Sequence, residues 1–133
     1  MTLDQYQRKS CYAVQEHESH KEAMSHWAIG LTEEAGEVNG DIKHKYYNHE
    51  DVSDMKMAEE LGDVLWYIAA LCTELGISLE AVAQLNIAKN RHKYPDGAFD
   101  KDRSANRHAD YERFKETEEY LEIESSMHTT FGL

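Results

Sequence analysis

The stretch from Asp54 to Gly76, DMKMAEELGDVLWYIAALCTELG, decides the fold. Its apolar residues Met57, Leu61, Val64, Leu65, Ile68, Ala69, Cys72 and Leu75 recur at steps of three and four, the period of an α-helix and not of a strand. The stripe is wide enough to face two neighbours, so the segment reads as a helix inside a bundle, capped by Ser53 or Asp54 and ended by Gly76.

Working outward, the polar run Tyr47 to Val52 breaks the period and reads as a loop. Before it, Trp27, Leu31, Ala35, Val38, Ile42 and Tyr46 step by four or three, which predicts a helix from Ser25 to Tyr47. Gly30, Gly36 and Gly40 each weaken that helix by about 1 kcal/mol relative to alanine, so packing overrides propensity or the backbone approaches something closely. A first helix is expected from Thr2 to Glu18, opened by a Thr2/Gln5 capping box, with Leu3, Tyr6, Cys11 and Val14 turned inward. After Gly76, Ser78 caps a fourth helix carrying Leu79, Val82, Leu85 and Ile87, which the Tyr94-Pro95-Asp96-Gly97 turn ends. From Asp100 the chain is charged and poor in aliphatics, with one helix expected from Ser104 to Glu122 and a frayed tail beyond. There Tyr111, Phe114, Tyr120 and Leu121 form a weak stripe that could dock on a partner subunit or cover a site. The fold class is therefore all-α: a four-helix bundle over residues 1–99 and a charged, helical or partly disordered extension over 100–133.

The 133 residues hold 26 Asp and Glu against 14 Lys and Arg, a formal net charge of -12. Such a surface repels nucleic-acid phosphate and anionic lipid, so neither a nucleic acid polymer nor a membrane is expected as partner. An anionic ligand would need a local basic cluster or an intervening cation. A core of this modest size often gains stability by association, so an oligomer is expected. Cys11 and Cys72 have no paired spacing and read as buried free thiols, in keeping with a reducing cytoplasm. No leader-like apolar segment opens the sequence, and no run approaches the ~18 apolar residues of a membrane span.

Two acidic pairs carry the chemistry. Glu34 and Glu37 on the second helix, and Glu60 and Asp63 on the third, are each three apart and so share a side of their helix. Glu34 lies three after Leu31 and four before Val38, and Glu60 three after Met57 and four before Val64, which puts both at the edge of an apolar stripe. With Glu33 beside them and no lysine or arginine inside either motif, antiparallel packing of the two helices would gather carboxylates that take up protons or recruit a divalent cation. An all-oxygen set suits Mg²⁺, or Mn²⁺ in its place. Taken singly, such pairs are common on solvated helix faces; it is their coincidence that points to metal. The Glu-x-x-His spacing of a di-iron bundle is missing from both helices.

The densest positive segment is Ala88 to Phe99, AKNRHKYPDGAF, at the end of the fourth helix. Lys89, Arg91 and Lys93 could merely complement the helix dipole, or with Asn90 they face phosphates whose other oxygens sit on the metal. Trp27, Trp66 and the eight histidines, among them His17, His20, His26, His44 and His49, read as core and surface respectively.

From about Ser25 to Phe99 the chain resembles the MazG-like all-α nucleoside triphosphate pyrophosphohydrolases, a superfamily that includes dimeric dUTPases and dCTP pyrophosphatases. The resemblance rests on Glu33, Glu34 and Glu37, then Glu60 and Asp63, then the Asn90 to Gly97 run. It implies Mg²⁺ on Glu34, Glu37, Glu60 and Asp63, with Glu33 as a second-metal ligand or as the base that activates water. It also implies triphosphate or sugar contacts from Asn90, Arg91 and Lys93 in the turn that holds Tyr94, and an aromatic residue near the substrate at Tyr67. Asn86 departs from the lysine that several relatives place there, which leaves a phosphate contact absent or supplied by Lys89. The implied activity is Mg²⁺-dependent conversion of a nucleoside triphosphate to monophosphate and pyrophosphate by a homodimer or homotetramer, for pool control or house-cleaning. The alternatives are an alarmone or modified nucleotide as substrate, or a helical protein that binds metal and nucleotide without turnover.

Overall fold

A computed structural model of the chain describes residues 1–10 and 16–128. Every regular element among them is helical: α1 (Leu3–Ser10), α2 (His20–Tyr46), α3 (Asp54–Glu74), α4 (Leu79–Lys93), α5 (Lys101–Ala105), α6 (Arg107–Lys115) and α7 (Glu118–Ser126). They fall into two compact units, Met1–Leu75 and Gly76–Leu133.

In the first unit α2 and α3 run antiparallel: Lys45 pairs with Asp54 at one end, Trp27 meets Trp66 further along, and His20 meets Glu74 at the other end. Their interface is centred on Ala23, Trp27 and Ala70, with Trp66, Tyr67 and Leu71 packed around them. Trp27 is 2% exposed, and burying a side chain of that size contributes on the order of 3 kcal/mol. α1 packs on α3, where the buried Gln7 donates from Nε2 to Thr73 Oγ1 at 3.1 Å. The α1 capping box forms as the sequence predicts, Gln5 N donating to Thr2 Oγ1 at 3.1 Å and Thr2 N to Gln5 Oε1 at 3.0 Å.

Two boundaries differ from the periodic reading. The first helix was expected to continue to Glu18; α1 is described over Leu3–Ser10, and residues 16–19 are not helical. Cys11 and Val14 lie outside the described residues. α2 starts at His20, not Ser25, because Ser19 is extended and its hydroxyl accepts from Glu22 N while Glu22 accepts from Glu18 N at 3.1 Å. Those two bonds start α2 ahead of its apolar face, which begins at Ala23. The inward face of α2 is also rotated: Trp27, Leu31 and Val38 are covered, whereas Ala35, Ile42 and Tyr46 are exposed. Gly30 is fully buried, and a Cβ placed there would overlap the Tyr67 ring, so close backbone approach explains this glycine; Gly36 and Gly40 have nothing within 4 Å. On α3, Leu61 and Leu75 are exposed and Glu60 is buried in their stead.

α3 stops where Gly76 adopts φ +64, a left-handed conformation that a side chain would resist. In the second unit Ser78 Oγ caps α4 by accepting from Ala81 N at 3.0 Å, as expected, and Ile77 pairs with His128 in an isolated bridge. The single helix expected from Ser104 to Glu122 is three: Asn106 interrupts it, and Thr117 restarts it by accepting from Tyr120 N at 3.2 Å. The last of these reaches Ser126, beyond the expected Glu122. α6 and α7 pack on α4, burying Phe114 and Ile123 against Ala88, with Leu85, Tyr111, Tyr120 and Met127 around them. The stripe of the extension therefore docks within its own unit, with Ile123 in the place expected for Leu121, which is exposed.

Candidate active site

Glu34 sits in the middle of the covered face of α2, the face that runs through Ala23, Trp27, Gly30, Leu31, Val38 and Asp41. Across the antiparallel interface α3 presents Glu60 and Asp63. One oxygen from each of Glu34, Glu60 and Asp63 lies within 4.8 Å of the others, Glu60 buried, Glu34 half-buried and Asp63 exposed. Burial, followed by the charges of Asp63, Glu60, Glu33 and Glu37, raises the Glu34 carboxyl above the ordinary carboxylate range. Glu33 and Glu37 are exposed and stand outside this group of three; they line an open depression with Ala28, Ile29, Thr32 and Gly36.

Two aromatic hydroxyls and one cation complete the surroundings. The Tyr67 phenol is raised by burial and then by the charges of Glu34, Glu33 and Asp63, which places this predicted site residue beside the carboxylates. Tyr6 of α1 is raised in the same way, by burial and then by Asp63. Lys56 donates to Glu60 Oε1 from one turn earlier on α3, and its ammonium is raised first by that hydrogen bond. Sequence reasoning missed both Tyr6 and Lys56. Lys56 could have been found from its i, i+4 spacing to Glu60, whereas Tyr6 comes from a different helix. The histidines are not all surface residues either: His17 Nε2 lies 2.7 Å from His26 Nδ1, and both rings contact Trp27.

The predicted basic residues belong to the second unit. Lys89, Asn90 and Lys93 line a cavity between α4 and α6, where Asn90 Nδ2 donates to Asn86 Oδ1 at 3.1 Å. Arg91, two residues from Lys89 and Lys93, projects elsewhere and approaches Glu119 of α7 at 3.8 Å. Tyr94 closes the helix, with the Lys93 ammonium 5.0 Å from its ring centroid and its hydroxyl lowered chiefly by a hydrogen bond with Lys93.

The donor set fits a hard divalent cation. It consists of oxygen alone, and three carboxylates meet there against one ammonium, that of Lys56 on Glu60. The free thiol of Cys72 is buried and raised by that burial, away from any ligand role. Among the described residues no helix is long and apolar enough to cross a membrane.

The Gene 37 protein of Mycobacterium phage L5 is 35% identical over 72 residues, which is 51% of this chain and 63% of that protein. The protein YpjD of Bacillus subtilis (strain 168), described only as uncharacterized, is 42% identical over 53 residues, 38% of this chain and 48% of its own length. The chain thus spans about half to two thirds of these relatives. No solved structure matches it. Residues 21–98 match the MazG nucleotide pyrophosphohydrolase domain, more than half of the chain and a span that contains Glu34, Glu60, Asp63 and the basic turn. The chain belongs to the MazG nucleotide pyrophosphohydrolase family.

Proposed function

We propose that this chain hydrolyses a nucleoside triphosphate to its monophosphate and pyrophosphate with Mg²⁺, or Mn²⁺ in its place. The observation that carries the reading is the convergence of Glu34, Glu60 and Asp63 within 4.8 Å across two helices, inside the span that matches the family. Glu34, Glu37, Glu60 and Asp63 would hold the cation, whose chemistry is to neutralise phosphate charge and to lower the pKa of water. Glu33, exposed and next to the cluster, takes the proton from the attacking water on a carboxylate oxygen. Lys89, Asn90, Arg91, Lys93 and Tyr94 bind the phosphates or sugar, and the Tyr67 hydroxyl faces the substrate from beside the carboxylates. Residues 1–99 form the catalytic part and 100–133 its extension.

Exposed Ile29, Met55 and Leu61 on α2 and α3 support a homodimer or homotetramer as the working form. A buried free thiol accords with a cytoplasmic setting. The test is to incubate the chain with a panel of ribo- and deoxyribonucleoside triphosphates and Mg²⁺ and to detect pyrophosphate. Release from at least one supports the reading and names base and sugar. Mg²⁺ binding with no release from any would leave a nucleotide sensor.

A further inference from the structure

The cavity between α4 and α6 has a volume of about 660 Å³, within the roughly 300–1,000 Å³ of small-molecule sites. Five of its twelve lining residues come from beyond residue 98, where the family match ends. On α6, Arg107, Asp110, Tyr111 and Phe114 follow the steps of one helical face and all line it; on α4, Lys89 and Lys93 lie one turn apart and line it from the other side. The chain carries an excess of acid, and Lys45, Lys56, Arg113 and Lys115 all sit in ion pairs. Among the described residues Lys89, Lys93 and Arg107 pair with no carboxylate. Three cations without a carboxylate partner thus line one hollow, whose other side chains are part polar, His92 and His108 among them, and part apolar, Val82, Leu85 and two aromatic rings.

Asp110 adds a second requirement. Its Oδ1 accepts from Arg113, but its Oδ2 is buried without a hydrogen-bond partner, an arrangement that costs free energy unless a donor arrives. A bare phosphate ion, carrying mostly acceptors, does not answer a buried carboxylate oxygen. A ligand with a phosphate, a sugar hydroxyl or ring N–H, and a flat apolar part answers all three walls.

We propose that this cavity binds a nucleoside monophosphate group without a metal ion, Lys89, Lys93 and Arg107 holding the phosphate and Asp110 Oδ2 accepting from the nucleoside. The proposal shares with the reading above the phosphate contacts of Lys89 and Lys93, and it gives the extension a binding role through Arg107 and Asp110.

Isothermal titration of the full chain with adenosine 5′-monophosphate, in EDTA, tests it. Saturable binding is expected, and Arg107→Ala and Lys89→Ala should each weaken it by about tenfold or more, the loss of one charge-assisted hydrogen bond. Arg107 is exposed, so its replacement leaves folding intact, which circular dichroism checks. Inorganic phosphate and adenosine alone should each bind at least about tenfold more weakly, because each answers only part of the wall. The proposal is overturned by absence of saturable binding, by phosphate binding as tightly as the nucleotide, or by Arg107→Ala leaving affinity unchanged. Turnover is not read in this experiment, so failure to release pyrophosphate from any triphosphate would remove the enzymatic reading and leave the cavity standing.

Discussion

The acidic cluster of the first unit and the basic cavity of the second each gather like charges, yet they are built in opposite ways. Glu34 and Glu60 are drawn into a helix interface near Tyr67, where partial burial and then neighbouring charge raise the Glu34 carboxyl. Lys89, Lys93 and Arg107 stand on long stems at the edge of an open hollow, where water screens them. The first arrangement is strained until a cation or proton enters, and Lys56 relieves it only at Glu60. The second crowds no like charges into a dry place, and only the unpartnered Asp110 Oδ2 is left unsatisfied when it is empty. A short, rigid carboxylate on a packed helix makes a demanding site, and a flexible ammonium makes a tolerant one.

The largest test of this contrast is Asp63→Asn. It removes one charge from the demanding site at an exposed position, so pyrophosphate release should fall by at least about 10³-fold while the melting temperature holds; near-normal turnover would remove Asp63 from the machinery. Next in size is the packing beneath the tolerant site. Phe114 is 1% exposed between α4, α6 and α7, and Phe114→Ala should cost about 3–5 kcal/mol in denaturant unfolding. Such a variant should lose the second unit's cavity, and unchanged stability would mean that α6 does not dock as described.

Gly30→Ala should destabilise by about 1–3 kcal/mol, because the added methyl meets the Tyr67 ring where there is no room to give. An unaltered unfolding midpoint would show the interface to be looser than drawn. The smallest effect is one of pH. Glu34 binds its proton more tightly folded than unfolded, so without divalent cation stability should fall as pH rises from the ordinary carboxylate range through the raised Glu34 value. Mg²⁺ should flatten that slope, and Glu34→Gln should abolish it. A slope untouched by either would locate the strain elsewhere.

These residues also show what a sequence can and cannot reveal. α3 and α4 were legible because a cap residue precedes each, Ser53 of the Ser53 or Asp54 expected and Ser78, and Gly76 separates them by a left-handed turn. The pairing of Glu34 with Glu60 and Asp63 was legible because i, i+3 spacing and apolar flanks fix a face on each helix. The first turn of α2 was not, since its cap precedes its apolar face and periodicity cannot register it. Nor was the role of the extension. Phe114 and Ile123 find their partners on α4, and a pattern within one helix does not name the surface it covers. Tyr6 escaped for the same reason, since the neighbour that ties it to the site, Asp63, is distant in sequence.

The notch at Gly30 has one more consequence. Gly30 lies one turn before Glu34 on α2, and Tyr67 lies one turn after Asp63 on α3, so the ring seated in the notch sits next to the carboxylates along the antiparallel pair. It works as a gauge block: the thickness of one phenol ring, with no methyl beneath it, sets how far apart the two backbones stand where the oxygens converge. The size of any cation that the oxygens would grip then depends on a residue that carries no oxygen in its side chain. Selectivity among ions at Glu34, Glu60 and Asp63 would then be decided mechanically, one helical turn away.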